Sequence, residues 1–257
     1  MKLAVIGAGS IGSYVAAGLR DQGLAAVILR RLPADPPSAG IVRVTRVADL
    51  PEGITHVIDC AGHGGLKAHG AAALEAGIDV VTLSLGALAD ADLHADLLRA
   101  AEIGHARLHL ASGAIGALDA LRAAAVGGLD HVVYVGRKPP AGWVGSPAET
   151  LVDLPWLTEP ATFFEGTARD AARDYPKNAN VAAAVALAGA GFDATRVHLI
   201  ADPAATGNSH RIEAEGAFGR FGFEITGNAL PDNPRSSALA AMSAVAEIRR
   251  IAARVTT

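Results

Sequence analysis

His210 stands in the run Asn208-Ser209-His210-Arg211-Ile212, directly after the loop sequence DPAATGN. An imidazole beside a loop is a ready general acid or base, because it exchanges a proton near neutral pH. The alternative is a histidine on the outer face of a strand, and residue type alone leaves both readings open. A second polar group is Tyr175-Pro176-Lys177-Asn178-Ala179-Asn180, ahead of an apolar stretch beginning at Val181. Asn178 or Asn180 either caps a helix there or offers its amide to a ligand at the helix's positive end. A third is Gly7-Ala8-Gly9-Ser10-Ile11-Gly12. Glycines at that spacing permit a tight turn at Gly7, backbone approach to a pyrophosphate at Gly9, and close helix packing at Gly12.

The elements that must position these groups are legible in the apolar pattern. Residues 2–6 (KLAVI) form a short apolar run, the mark of a buried parallel strand. After the glycines, Val15, Ala16 and Leu19 recur at helical spacing, and Gly23 stops the helix. A second strand over 25–29 follows. Strand, glycine loop, helix, strand is the context in which this loop binds a dinucleotide, with Gly7, Gly9, Ser10, Ile11 and Gly12 against its phosphates. The second strand ends in Arg30-Arg31, and the next acid is Asp35. A site for NAD has an acid at that strand end, whereas two guanidiniums suit a 2′-phosphate. NADP is therefore favoured, with NAD also used; the alternative is a pair of ordinary solvated arginines.

Strands over 41–44, 55–61, 79–84 and 107–111 alternate with helices over 66–76 and 91–101. That alternation predicts an α/β fold: an N-terminal Rossmann domain, residues 1–111, with a doubly wound parallel sheet. Ligands of such sheets sit beyond the carboxyl ends of the strands. Cys60, Ala61, Gly62, Ser84 and Gly86 therefore fall near the cofactor, Cys60 as a small buried side chain rather than a redox group.

Beyond residue 111 the pattern changes. Helices are expected over 118–125 and 181–190, a further helical stretch opening with 163–167, and strands over 131–137, 196–201, 209–214 and 221–227. This is an α+β substrate and dimerisation domain, 112–234, with a mixed or antiparallel sheet. Residues 235–257 form a third segment. A helix over 236–255, with Leu239, Met242, Val245, Ile248 and Ile251 at spacing three, returns to the nucleotide domain.

Composition excludes several classes. The chain has 257 residues, a net charge of -4 and a 51% hydrophobic content, to which 56 alanines contribute. Disorder, an electrostatic nucleic-acid binder and a basic membrane binder are disfavoured. A lone cysteine leaves no internal disulfide and fits a reducing cytoplasm. No apolar run is long enough for a membrane helix. His63 and His69 are six residues apart and do not share a helix face, and His56, His94, His105 and His131 read as structural or solvated, so no metal is expected.

Seven motifs in order carry a family resemblance: GAGSIG (7–12), SLGALAD (84–90), SGAIGALDALRAA (112–124), GRKPPAGW (136–143), PKNANVAAAVALAG (176–189), ADP with NSHRIEAEGAFGRF (201–221) and NPRSSALAAMSA (233–244). Together they resemble the L-aspartate dehydrogenases over nearly the full chain. The resemblance implies oxidation of L-aspartate by NAD or NADP to iminoaspartate, which is released or hydrolysed to oxaloacetate and ammonia, with reductive amination as the reverse. It makes His210 the catalytic residue, Ala114 and Asn180 cofactor contacts, and the enzyme a homodimer. Ser112, Lys177 and Asn178 are the candidates for holding the substrate carboxylates. Two alternatives share the architecture: a homoserine dehydrogenase or dihydrodipicolinate reductase, and a non-catalytic NADP sensor.

Overall fold

The computed structural model describes residues 1–34, 40–231 and 233–255; Asp35 lies outside them. Contacts divide the chain into two compact units, Met1–Ala111 with Ala240–Thr257, and Ser112–Leu239.

The first unit is a six-stranded sheet. Its strands are β1 (Leu3–Ile6), β2 (Leu24–Ile28), β3 (Val42–Val44), β4 (His56–Asp59), β5 (Asp79–Thr82) and β6 (Leu108–Leu110), in the order β3-β2-β1-β4-β5-β6. Every pairing is parallel. Parallel strands are covered on both faces, which is why β1 and β4 are buried at every position. Helices α1 (Ser10–Leu19), α2 (His63–Glu75) and α3 (Ala91–Gly104) make the crossovers. The strand order reverses between β1 and β4, so Gly7 and Cys60 leave the sheet side by side at its switch point. No helix of the described residues is long and apolar enough to cross a membrane.

The second unit begins with α4 (Leu118–Gly127), β7 (Leu129–Lys138), α5 (Ala148–Leu151), β8 (Ala161–Thr167), α6 (Ala168–Asp174) and α7 (Asn180–Ala188). It continues through β9 (Arg196–Ala201), β10 (Asn208–Gly216), β11 (Gly219–Gly227), β12 (Ala229–Leu230) and β13 (Asn233–Ser237). The sheet order is β11-β10-β7-β9-β8, mixed because β7 and β9 run parallel while the other pairs are antiparallel. Helices α4, α6 and α7 cover one face. Burial alternates accordingly: Val132, Tyr134 and Gly136 of β7 point inward, as do His210, Ile212 and Ala214 of β10.

Three local expectations are corrected. Residues 163–167 are the end of strand β8 and not the opening of a helix; they pair antiparallel with β9. The helix starts at Ala168, where Thr167 and Asp170 form a reciprocal capping box. Neither Asn178 nor Asn180 caps α7: the N-cap is Ala179, without a side-chain cap, and Asn178 reaches β7 instead. The last helix, α8 (Ala238–Ala252), is shorter than 236–255, because Asn233–Ser237 pairs with β12. Its buried face is Ala241, Ala244, Val245 and Ile248, while Met242 is exposed. A strict spacing of three drifts about 60° per step around a helix, so the stripe 239-242-245-248-251 cannot stay on one face.

Helix α8 is fastened to the first unit twice. Ala244, Val245 and Ile248 join Leu3, Val5, Val15 and Leu19 in one apolar core. At the other edge of the helix, His109 lies 3.3 Å from Asp79 and 3.6 Å from Glu247, which also binds Arg250 at 2.7 Å. The Glu247 carboxyl is held down to about 2, by Arg250 first and His109 second. The His109 imidazole is raised, mainly by Glu247 against the cost of burial. The Glu247 contribution is complete above its unfolded value of 4.5 and is lost as pH falls toward about 2. The His109 contribution is complete below 6.5 and is lost as pH rises through its raised folded value. Replacing Glu247 with Gln should therefore lower stability by roughly 1–2 kcal/mol between those limits, after screening, with the deficit closing in strong acid. Melting temperature against pH for both proteins checks this; parallel curves would contradict it.

Candidate functional site

In the first unit the glycine loop makes an open cradle. Gly7 has φ +95°, and a Cβ there would lie 3.0 Å from the Ala61 Cβ. A Cβ on Gly12 would overlap the Gly7 carbonyl oxygen, so α1 packs against its own loop only because residue 12 is glycine. Gly9, by contrast, is exposed, and a Cβ there would meet nothing within 4 Å. It is the N-cap of α1 with no side-chain cap, and Ser10 and Ile11 follow in the first turn, whose N–H groups lack intrahelical acceptors. Open space over bare N–H groups at a positive helix end fits a dinucleotide pyrophosphate.

Asp59 holds the floor of this cradle. It is fully buried; its Oδ1 accepts from the Ala61 N–H at 3.1 Å and its Oδ2 from Thr82 Oγ1 at 2.9 Å and Ser84 Oγ at 2.6 Å. Burial raises its carboxyl, and the three donors oppose that. The ends of β4 and β5 are thereby tied together beside the glycines. Ser84 directs its hydroxyl inward to Asp59, and the backbone N–H of Ser84 donates to Thr82 at 2.9 Å. Cys60 donates its N–H to Ile6 at 3.0 Å, and burial pushes its thiol up, with Asp59 adding to the shift. It is a neutral packing thiol, not a nucleophile. Arg30 and Arg31 are exposed just beyond β2, and Gly86 is buried in the turn after β5.

In the second unit, His210 is 5% exposed on the inner face of β10. It pairs with Gly136 across the β7 ladder, two residues from Tyr134 on the same face. The Tyr134 side chain lies over Gly136, so close that a Cβ there would sit 2.7 Å from the tyrosine oxygen. The path ends at His210: Tyr134 Oη is 2.8 Å from His210 Nδ1. Nδ1 is thus engaged, and Nε2 is the nitrogen left for proton transfer. In the tautomer with Nδ1 protonated and donating to Tyr134, Nε2 carries the lone pair of a base; in the other, Tyr134 donates to Nδ1 and Nε2 carries the proton. Burial raises the Tyr134 phenol, so it stays protonated. Burial first, and Lys138 second, lower His210 to about 4, so its imidazole is neutral at physiological pH.

Lys138 is the next inward position of β7. Its Nζ is 2.5 Å from Asn178 Oδ1 and 4.6 Å from the centre of the Trp143 ring, and burial lowers it to about 8. Trp143 is fixed by donating Nε1–H to the Ile200 carbonyl at 3.0 Å. The structure therefore joins Asn178 to the His210 neighbourhood through Lys138. Lys177 instead is exposed on the turn before α7, whose first residue is the half-buried Asn180. Ser112 and Ala114 stand in the segment ahead of α4, Ser112 half-buried and Ala114 buried.

Asp59, Tyr134 and Lys138 were not singled out by sequence reasoning. Each had a signal. Asp59 is an acid inside an otherwise apolar strand, which demands internal partners. Tyr134, Gly136 and Lys138 share one face of β7 at spacing two, with a small residue where a ring could pass.

Two family models together match most of the chain. Residues 7–111 match the model of the homoserine dehydrogenase NAD-binding domain, and residues 119–251 match the aspartate dehydrogenase C-terminal model. An L-aspartate dehydrogenase of Ruegeria pomeroyi is 55% identical over 99% of this chain and 94% of that one. Another, of Cupriavidus necator, is 46% identical over 95% of both chains. The crystal structure of an aspartate dehydrogenase from Thermotoga maritima covers 100% of this chain and 99% of its own, with TM-score 0.78 at 24% identity. A hyperthermophilic archaeal homoserine dehydrogenase in complex with NADPH shares the fold at TM-score 0.58 and 12% identity, over 97% of this chain and 96% of that one. The chain belongs to the L-aspartate dehydrogenase family.

Proposed function

We propose that this enzyme oxidises L-aspartate at Cα to iminoaspartate, using NADP in preference to NAD, and runs the reductive amination in reverse. The observation that carries the reading is His210, a buried neutral imidazole held by Tyr134, in a chain of this family. The nicotinamide of the bound cofactor supplies the hydride acceptor.

The chain's own residues do the rest. The glycine loop from Gly7 to Gly12 binds the pyrophosphate, and Asp59 keeps the neighbouring strand ends in place. Ala61 closes against Gly7 and completes the loop's packing. Arg30 and Arg31, exposed at the end of β2, receive the 2′-phosphate. Ala114 and Asn180, in the family motifs, are further cofactor contacts, and Ser112 and Asn178 serve the substrate.

His210 takes a proton at Nε2, from the substrate ammonium before hydride departure or from the water that attacks the imine. Tyr134 keeps the ring in register while the proton is held. Hydrolysis of the imine gives oxaloacetate and ammonia. The family resemblance and the outer face of the second sheet, with His131, Val133, Arg211 and Glu213 beside one another, support a homodimer, and the single cysteine suits a cytoplasmic setting.

Three experiments test this reading. Purified protein given L-aspartate and NADP or NAD should form reduced cofactor, with D-aspartate, glutamate and homoserine inert. The His210→Ala variant should lose about 10²–10⁴ in kcat with NADP affinity unchanged. Turnover at the parent rate would remove His210 from the reaction. Replacing Arg30 and Arg31 together with Ala should raise the Kd for NADP by about 10–100-fold and that for NAD by much less. Equal losses by fluorescence titration would show that neither arginine reads the 2′-phosphate.

A further inference from the structure

Lys138 is a cation in an unusual position. Its ammonium is withdrawn from solvent, yet among the described residues no carboxylate pairs with it. The neighbouring cation on the strand, Arg137, does have one: it meets Asp202 at 2.7 Å on the opposite face. Among the described residues its partners are the neutral Asn178 oxygen and the Trp143 ring face. An ammonium has three donors, and burying one without a counter-ion is costly unless an anion arrives.

The position also matters. Lys138 follows Tyr134 and Gly136 on the inner face of β7, and Gly136 pairs directly with His210. Its charge is near enough to disfavour a proton on the imidazole. Gly142 leaves room for its stem, since a Cβ there would lie 3.2 Å from the Lys138 Cβ. Other charges are held away from this face. Helix α7 carries no titratable side chain, and Asp119 and Arg122 of α4 are exposed. On α6, Arg173 is paired with Asp170 and Asp174, and Arg169 with Asp193. From β9 the buried residues Val197, Leu199 and Ala201 are apolar.

We infer that Lys138, aligned by Asn178 and Trp143, binds one carboxylate of the substrate and so couples recognition of a dicarboxylate to the base at His210. The identity of that dicarboxylate rests on the L-aspartate reading above. A carboxylate on Lys138 cancels the charge that opposes protonation of His210. The imidazole then becomes a better base when substrate is present, although burial, the larger cause of its low basicity, remains.

The test uses the full-length enzyme and succinate, a dicarboxylate with no amine to oxidise. Calorimetry should show succinate binding to the parent protein, weakened about 10–100-fold in Lys138→Met and largely retained in Lys138→Arg. Asn178→Asp places a carboxylate beside the ammonium from within the protein and should also abolish succinate binding. In Lys138→Met the KM for L-aspartate should rise by a similar factor with NADP affinity unchanged. The acid limb of its kcat/KM profile should move to higher pH, because the repelling charge is gone. Succinate binding that is absent from the parent, or equal in parent and Lys138→Met, overturns the inference. Succinate binding that depends on Lys138 in a protein that does not oxidise L-aspartate would uphold the anion site and count against the substrate reading instead.

Discussion

A phenol and an imidazole meet by a 2.8 Å hydrogen bond on the buried face of the second sheet. Burying either group alone would cost on the order of 1–3 kcal/mol, so each requires the other. Much of the local sequence follows from that requirement. The ring of Tyr134 must cross position 136, and only glycine leaves the space. The antiparallel register that sets His210 against Gly136 places Ile212 against Tyr134 and packs the pair in an apolar wall. A shift of one residue would turn His210 to the outer face, where Arg211 and Glu213 now stand.

The first unit solves the same problem with a carboxylate. Asp59 is buried at the end of a parallel strand, and three donors from two strand ends surround it. The consequence is a firm floor next to a loop whose glycines have no side chains to stiffen it. Rigidity there and openness over Gly9 are complementary: the phosphates need fixed N–H groups and empty space together. Ser84 illustrates the division of labour. Its hydroxyl donates to Asp59 and supports the floor.

Much of this was legible in the sequence. The glycine spacing and the strand–helix alternation specify a parallel sheet; the order β3-β2-β1-β4-β5-β6 and its switch point come from the structure. His210 was singled out as a loop-proximal imidazole, but residue type left a surface strand histidine open, and the family motif around it carried the choice. Residues acting through tertiary neighbours were not. Tyr134 and Lys138 read as ordinary members of an alternating strand until register sets one against His210 and brings the other to Asn178. Lys177, next to the asparagines in sequence, is exposed on the turn before α7, whereas Asn178 beside it is half-buried, since proximity along a turn says little about which side chain the fold buries. Residues 163–167 misled because a glycine and a threonine before a helix hide the extended pairing with β9.

The claim on which the mechanism turns is that His210 is neutral at working pH. Resolved imidazole signals of the cofactor-free protein, assigned with the His210→Ala variant, can be followed by NMR from pH 4 to 8. The His210 signal is expected to stay in its neutral form down to about pH 5, with its midpoint near 4. A midpoint at the ordinary value near 6.5 would mean that neither burial nor Lys138 acts on the ring as described, and the account of the base would fail.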